Sequence, residues 1–284
     1  MNLTDAFAYY KKLILTSPKQ RSTEIGRWSL HVEPILGKAR LEEIKNLQIM
    51  ELRKELEAKN LSPQTVSHCL SLTRRVLRRA VEWELYPGPV PIFRMPSFDN
   101  RRMRFLSIDE AQCLLQALRL KSELWHDVAS FALNTGMRAG EIYKLERFHF
   151  DFTQRIVKVL DTKNSQSRHI PLNDAAYSAA HKYYSSSEEG EKFSNAKTKY
   201  YIFQDAISEC GFNQGIQDRR ARVCFHTLRH TFASWLVQNG THLTLVGELL
   251  GHKDSRMTMR YSHLAPEQGQ AAVATLPCIH LAAK

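Results

Sequence analysis

Apolar residues recur every three or four positions through the first 85 residues, and strand-like alternation is absent there, so a helical domain is predicted. Helices are expected over LTDAFAYYKKLIL (3–15), STEIGRWSLHVEPIL (22–36) and, from Ile44 past Asn46 and Leu47, through QIMELRKELEAK (48–59). A fourth opens within LSPQTVSHCLSLTRRVLRRAVEWEL (61–85), where Ser62 is placed to cap and Pro63 to occupy the first helical position. Val66, Leu70, Leu77 and Val81 form its apolar stripe, and Arg74, Arg75, Arg78 and Arg79, paired at i,i+4 spacing, form a basic face beside it.

The pattern stops at YPGPVPIFRMPSFDNRRMR (86–104), which carries four of the ten prolines and four arginines, Arg101, Arg102 and Arg104 among them. No helix or central strand survives that proline spacing, so a basic, extended linker is expected. Periodicity resumes near residue 105. Ser107 and Glu110 form a capping box ahead of AQCLLQAL, and an apolar helix follows to a break at Thr135-Gly136, with another helix opening near Arg138. RIVKVL (155–160) and RHIPL (168–172) are short β-type runs with Lys163 in the turn between them. SSSEEGEKFSNAKTK (185–199) is expected to be a polar surface loop. From Asp205 the chain turns helical again, with Gly240 and Gly251 as stops. The expected fold is therefore mainly α with a small antiparallel β-sheet: a helical domain over 1–85, a linker over 86–104 and an α+β domain over 105–284.

Composition narrows the function. The chain has 284 residues, 43% of them hydrophobic, enough for a packed core, and 40 Lys and Arg against 29 Asp and Glu give a net charge of +11. The excess is present in both halves, as expected of a chain that meets a polyanion such as nucleic acid along its whole length. The five cysteines are scattered, without a CxxC pair, and are expected to be buried or partly buried free thiols of a reducing compartment. The first residues lack the pattern of a secretory leader, and no apolar run reaches membrane-span length, so a cytoplasmic location is expected.

The candidate chemistry centres on HTLRHTFASWLVQNG (226–240). His226 and His230 stand four apart, a spacing that binds zinc where a glutamate lies between them as general base. Here Arg229 lies between them, and a cation repels a metal ion. Phosphate fits better, because a guanidinium pairs with two phosphate oxygens and imidazoles add directional donors. Leu228, Phe232 and Leu236 are expected to form the buried stripe of this helix. Downstream, LLGHKDSRMTMRYSHL offers His252 after a glycine stop and Tyr261 nine positions later, after a short turn capped by Asp254. A tyrosine can attack phosphorus when cations and hydrogen-bond donors stabilise the transition state.

Arg138 within TGMRAGEI, His226 and Arg229 within HTLRH, His252 within LLGH, and Tyr261 together resemble the signature of the tyrosine recombinase, or phage integrase, family. Lys163 matches that family's hairpin lysine. The motifs cover roughly residues 105 to 265, and the first part is similar to a core-binding domain in architecture. The resemblance implies that Tyr261 attacks a DNA phosphate to form a 3′-phosphotyrosyl link and free a 5′-hydroxyl. It further implies that Arg138 and Arg229 hold the non-bridging oxygens, that His226 donates a hydrogen bond or accepts a proton, that His252 donates to the phosphate, and that Lys163 protonates the leaving oxygen. Glu141 is expected to orient the site, unless it is merely a surface partner of Arg138, and His230 to pack behind the site or to support the residues that line it. The implied chemistry uses no metal and no cofactor. Double-stranded DNA is the implied partner, with a homotetramer on two duplexes docked through the tail after Tyr261, and room for accessory DNA-bending proteins.

Many phage integrases carry a small arm-binding domain ahead of the core-binding helices, and here those helices begin almost at Met1, which suits either a simpler core-site enzyme or a shortened chain. Two rival readings make separate predictions. A type IB topoisomerase uses a similar residue set and would relax DNA without a defined site; a non-catalytic DNA-binding accessory protein of the same fold would bind without cleaving.

Overall fold

The computed structural model describes residues 1–98, 104–160, 167–185 and 192–266. The chain divides into two compact units, Met1–Asn100 and Arg101–Lys284.

The first unit is helical. Helix α1 (Leu3–Leu13) starts at Asn2, whose side chain accepts from the Asp5 amide at 2.8 Å. Helix α2 (Pro18–Arg27) runs through a wide turn, Trp28–Val32, into α3 (Glu33–Leu36). Next come α4 (Asn46–Ala58) and α5 (Pro63–Glu82). Ser62 accepts from the Thr65 amide, and Pro63 follows it where its missing N–H costs nothing. Val66, Leu70 and Leu77 are fully buried with Leu3, Leu52 and Leu56, and Phe7 stacks on Trp28 with ring centres 4.2 Å apart. Beyond α5 the prolines do exclude helix and strand. Residues 86–98 pack with this unit: Tyr86 is buried, and Phe93 and Met95 pack on the same core. Apolar residues every few positions in this segment supply the burial that its arginines conceal.

In the second unit, Ser107 and Glu110 form the expected capping box of α6 (Ile108–Lys121). Helix α7 (Glu123–Thr135) ends at Gly136, whose φ of +62° is the left-handed conformation that favours glycine. A single turn, α8 (Ala139–Ile142), follows Arg138. The three strands β1 (Phe150–Asp151), β2 (Ile156–Val159) and β3 (Arg168–Pro171) form an antiparallel sheet in that order, with Val157 opposite Ile170 and Val159 opposite Arg168.

Helices α9 (Asp174–Tyr184), α10 (Phe193–Ala196) and α11 (Tyr200–Glu209) lie between the sheet and the closing motifs. Two of these correct the sequence reading. Residues 193–196 are helical where a polar loop is expected, because Phe193 and Ala196 are fully buried beside Phe131 and Tyr184. Helix α11 begins five residues before Asp205, on aromatic residues that pack around Trp125. Finally α12 (Phe225–Gln238), α13 (Leu243–Leu250) and α14 (Arg256–Met259) carry the closing motifs, and Gly251 ends α13 at φ +66°.

The cysteines differ from expectation at one position. Cys69 is buried and Cys210 and Cys224 are half-buried, but Cys113 is exposed, with its sulfur 2.9 Å from that of Cys210. Cys278 lies outside the described residues. Among the described residues no helix is long and apolar enough to cross a membrane.

Candidate active site

Three consecutive carbonyls at the end of α13 each face a different arginine. Leu249 O accepts from Arg168 Nε at 2.9 Å, Leu250 O accepts from Arg229 Nη2 at 2.7 Å, and Gly251 O lies 3.5 Å from Arg138 Nη2. The last carbonyls of a helix have no partner within it and carry partial negative charge, so this terminus gathers cations. Strand β3, helix α12 and the Arg138 turn thereby converge on one point.

Arg229 is only 4% exposed. It also donates from Nη1 to Gly136 O at 2.8 Å, which ties α12 to the turn that presents Arg138. Two of its five N–H groups are thus committed to backbone carbonyls. Burial, then the charge of Arg138, pushes its pKa down to about 9, so the guanidinium stays charged at neutral pH.

Glu141 sits between two cations. Oε1 accepts from Arg138 Nη1 at 3.1 Å, Oε2 accepts from Arg168 Nη2 at 2.8 Å, and Oε2 also accepts from the Arg138 amide at 2.9 Å. Burial raises the pKa of this carboxyl, but the bonds and charges of Arg168 and Arg138 outweigh burial and leave it lowered. The carboxylate therefore caps the Arg138 turn as well as orienting the arginine. A helix of one turn has little dipole of its own, so the charge of the Arg138 turn is that of two arginines around a carboxylate.

Sequence reasoning missed Arg168 although the signal was present. Arg168 and Ile170 are two apart on a strand and share a face, and Ile170 is buried. A cation on the inward face of a sheet requires an anion there, and Glu141 supplies it.

His252 follows Gly251 directly, and its Nδ1 lies 2.7 Å from Thr258 Oγ1. Burial, then the charges of Arg229 and Arg138, lowers its pKa to about 4, so it is a neutral ring at pH 7. Tyr261 comes just after α14, its amide donating to Thr258 O at 3.0 Å. The phenol is 5% exposed, packed with Ala233, Val237, Val246 and Leu250. Burial raises its pKa, against the opposing charges of Arg260 and Arg229.

The second histidine is enclosed with the tyrosine. His230 is 5% exposed, and its Nδ1 lies 2.6 Å from the Tyr261 hydroxyl. The His226 ring meets it edge to face at 4.8 Å, and His226 is exposed. The buried stripe of α12 is also broader than Leu228, Phe232 and Leu236. Phe232 and Leu236 are half-buried, while Ala233 and Val237 are buried together with Arg229 and His230, because the first half of α12 is enclosed on most sides.

The basic residues assigned to DNA occupy different situations. Arg75 donates to Glu24 at 2.7 Å and to the Tyr10 hydroxyl at 3.1 Å; Arg79 pairs with Glu82 at 2.5 Å; Arg104 makes a two-pronged pair with Glu110. Among the described residues Arg74 and Arg78 make no ion pair, and Arg78 is exposed. Lys163, Arg101, Arg102 and the tail from residue 267 lie outside the described residues.

Residues 104–268 match the model of the phage integrase family. The chain belongs to that family. It is 33% identical to the integrase of Salmonella phage P22 over 214 residues, 69% of this chain and 53% of that protein. It is 29% identical to the integrase of Escherichia phage 186 over 237 residues, 81% of this chain and 66% of that protein. The chain thus spans about half to two thirds of the length of these phage integrases. Its fold is that of the Tn1549 transposon integrase solved with transposon right end DNA, at a TM-score of 0.75 and 17% identity over 96% of this chain and 98% of that one. A lambda integrase tetramer bound to a Holliday junction matches at a TM-score of 0.73 and 19% identity, over 95% and 78%.

Proposed function

We propose that this phage integrase family member is a site-specific recombinase that breaks and rejoins DNA strands through a 3′-phosphotyrosyl intermediate. One observation carries the reading: a buried tyrosine hydroxyl, hydrogen-bonded to a histidine, packs against the same end of α13 that gathers Arg229, Arg168 and Arg138. Tyr261 attacks phosphorus. Arg138 and Arg229 stabilise the charge that develops on the non-bridging oxygens, which counts for most in a water-poor site. His252, neutral, donates a hydrogen bond, and His226 reaches the phosphate from the exposed side. Lys163 protonates the leaving 5′-oxygen. The tyrosyl ester retains the energy of the broken bond, so rejoining needs no nucleotide.

Double-stranded DNA is the substrate, and a homotetramer on two duplexes, joined through the tail after Tyr261, is the working assembly. On this reading the protein works at the nucleoid of a bacterial cell, with room for accessory DNA-bending proteins. The integration or excision of a mobile element is the outcome this reading supports.

The test is a panel of nicked duplexes spanning attachment-site candidates, run beside supercoiled plasmid. Covalent adducts confined to one sequence are expected. Relaxation of plasmid without a defined site would replace the reading by a topoisomerase, and tight binding without an adduct would replace it by a DNA-binding accessory protein.

A further inference from the structure

The Tyr261 hydroxyl must lose its proton as the oxygen attacks phosphorus, and burial holds that proton more tightly than in water. A neutral phenol in a buried site therefore needs an acceptor within hydrogen-bond reach. His230 Nδ1 stands 2.6 Å from the hydroxyl, and both residues are buried, so water does not compete for the position. The other two site histidines are placed differently. His252 has its Nδ1 committed to Thr258 Oγ1, and His226 is exposed with its ring against the ring of His230.

Resting on the proposed recombinase reading, we infer that His230, and not His226, is the base that takes the Tyr261 proton during strand cleavage and returns it during rejoining. In cleavage the Tyr261 Oη–P bond forms and the P–O5′ bond breaks. The phenolic proton moves to His230 Nδ1, and the leaving 5′-oxygen takes its proton from Lys163. In rejoining the 5′-hydroxyl attacks phosphorus and gives its proton back to Lys163, the Oη–P bond breaks, and the imidazolium of His230 restores the proton to the departing phenolate. The imidazole accepts at Nδ1, so the tautomer required is the one protonated at Nε2. His226 is left to hydrogen-bond the phosphate.

The experiment measures single-turnover adduct formation on the nicked duplex that the unaltered chain cleaves. His230→Ala is expected to slow the step by about 10²–10³-fold while DNA affinity stays within a few-fold. His230→Asn keeps a hydrogen-bonding group near the phenol without a base, and is expected to remain nearly as slow. Added imidazoles of increasing basicity should rescue His230→Ala progressively, a dependence that a packing role would not produce. A His230→Asn chain cleaving at the unaltered rate would overturn the inference, as would rescue that ignores basicity. An unaltered chain that forms no adduct on any duplex refutes the recombinase reading and this inference with it. Normal cleavage by His230→Ala refutes the inference alone.

Discussion

Arg168 and Arg229 end on adjacent carbonyls, Leu249 O at 2.9 Å and Leu250 O at 2.7 Å, so the strand and the helix that carry them are fixed to one helix terminus. Two long cationic side chains held this way lose their freedom on folding, before any ligand arrives. A site prepared in advance stabilises a transition state without reorganising.

Arg168→Lys should therefore damage more than charge. Lysine cannot reproduce the guanidinium that spans Glu141 Oε1, Glu141 Oε2 and Leu249 O at once. A loss of about 2–4 kcal/mol is expected, read from denaturant unfolding. Glu141→Gln should cost less and leave Arg138 poorly oriented, with adduct formation slowed by at least about 10-fold. A Glu141→Gln chain as active as the original would remove Glu141 from the site's support.

Gly136→Ala tests the turn that joins Arg138 to Arg229. A Cβ at Gly136 would run into the Phe232 ring, and the backbone there is left-handed. Both effects oppose alanine, so a loss of about 3 kcal/mol or more is expected, lowering the melting temperature by roughly 6 °C or more. An unchanged melting curve would contradict the turn geometry.

His252 gives a pH prediction. Its pKa is lowered in the folded state to about 4, below the ordinary histidine value near 6.5. As pH falls below that ordinary value the unfolded chain takes up a proton that the folded chain refuses, so this contribution to stability is full above it and is lost as pH falls toward about 4. His252→Gln should remove this component from the pH dependence of unfolding. NMR should find the His252 ring neutral at about pH 5.5, well above its folded pKa; a protonated ring there would contradict the environment described.

The basic face of α5 separates into two kinds of arginine. Arg75 is tied to Glu24 and Tyr10, so Arg75→Ala should lower stability, by about 1 kcal/mol given its partial exposure. Arg78 is exposed and makes no ion pair among the described residues. Arg78→Ala should leave stability unchanged and reduce the slope of log affinity against log salt by about 1. The same salt slope in both chains would exclude Arg78 from phosphate contact.

The legible parts of the fold were those in which local signals agree. In α5 the cap, the first-turn proline and the apolar stripe all specify one helix, and the helix is Pro63–Glu82. The Gly136 and Gly251 stops were equally plain, because a left-handed end needs its residue. What stayed hidden depends on partners distant in sequence. Phe193 sits among polar neighbours, so composition concealed a helix that buried aromatic rings hold in place. His230 lies one residue from Arg229 in the same motif, and only the return of Tyr261 from 31 residues further on reveals what its ring touches. The order of Arg138, His226, Arg229, His252 and Tyr261 could be read directly, with Glu141 beside them as an orienting carboxylate, while Arg168, the second partner of Glu141, required the sheet.

The most direct test of the central claim is to digest the covalent protein–DNA complex and identify the linked residue by peptide mass spectrometry, with Tyr261→Phe alongside. The account predicts a 3′-phosphate on Tyr261 and no adduct in the variant, which should still fold and bind DNA. An adduct on another residue, or one of normal yield in Tyr261→Phe, would contradict it.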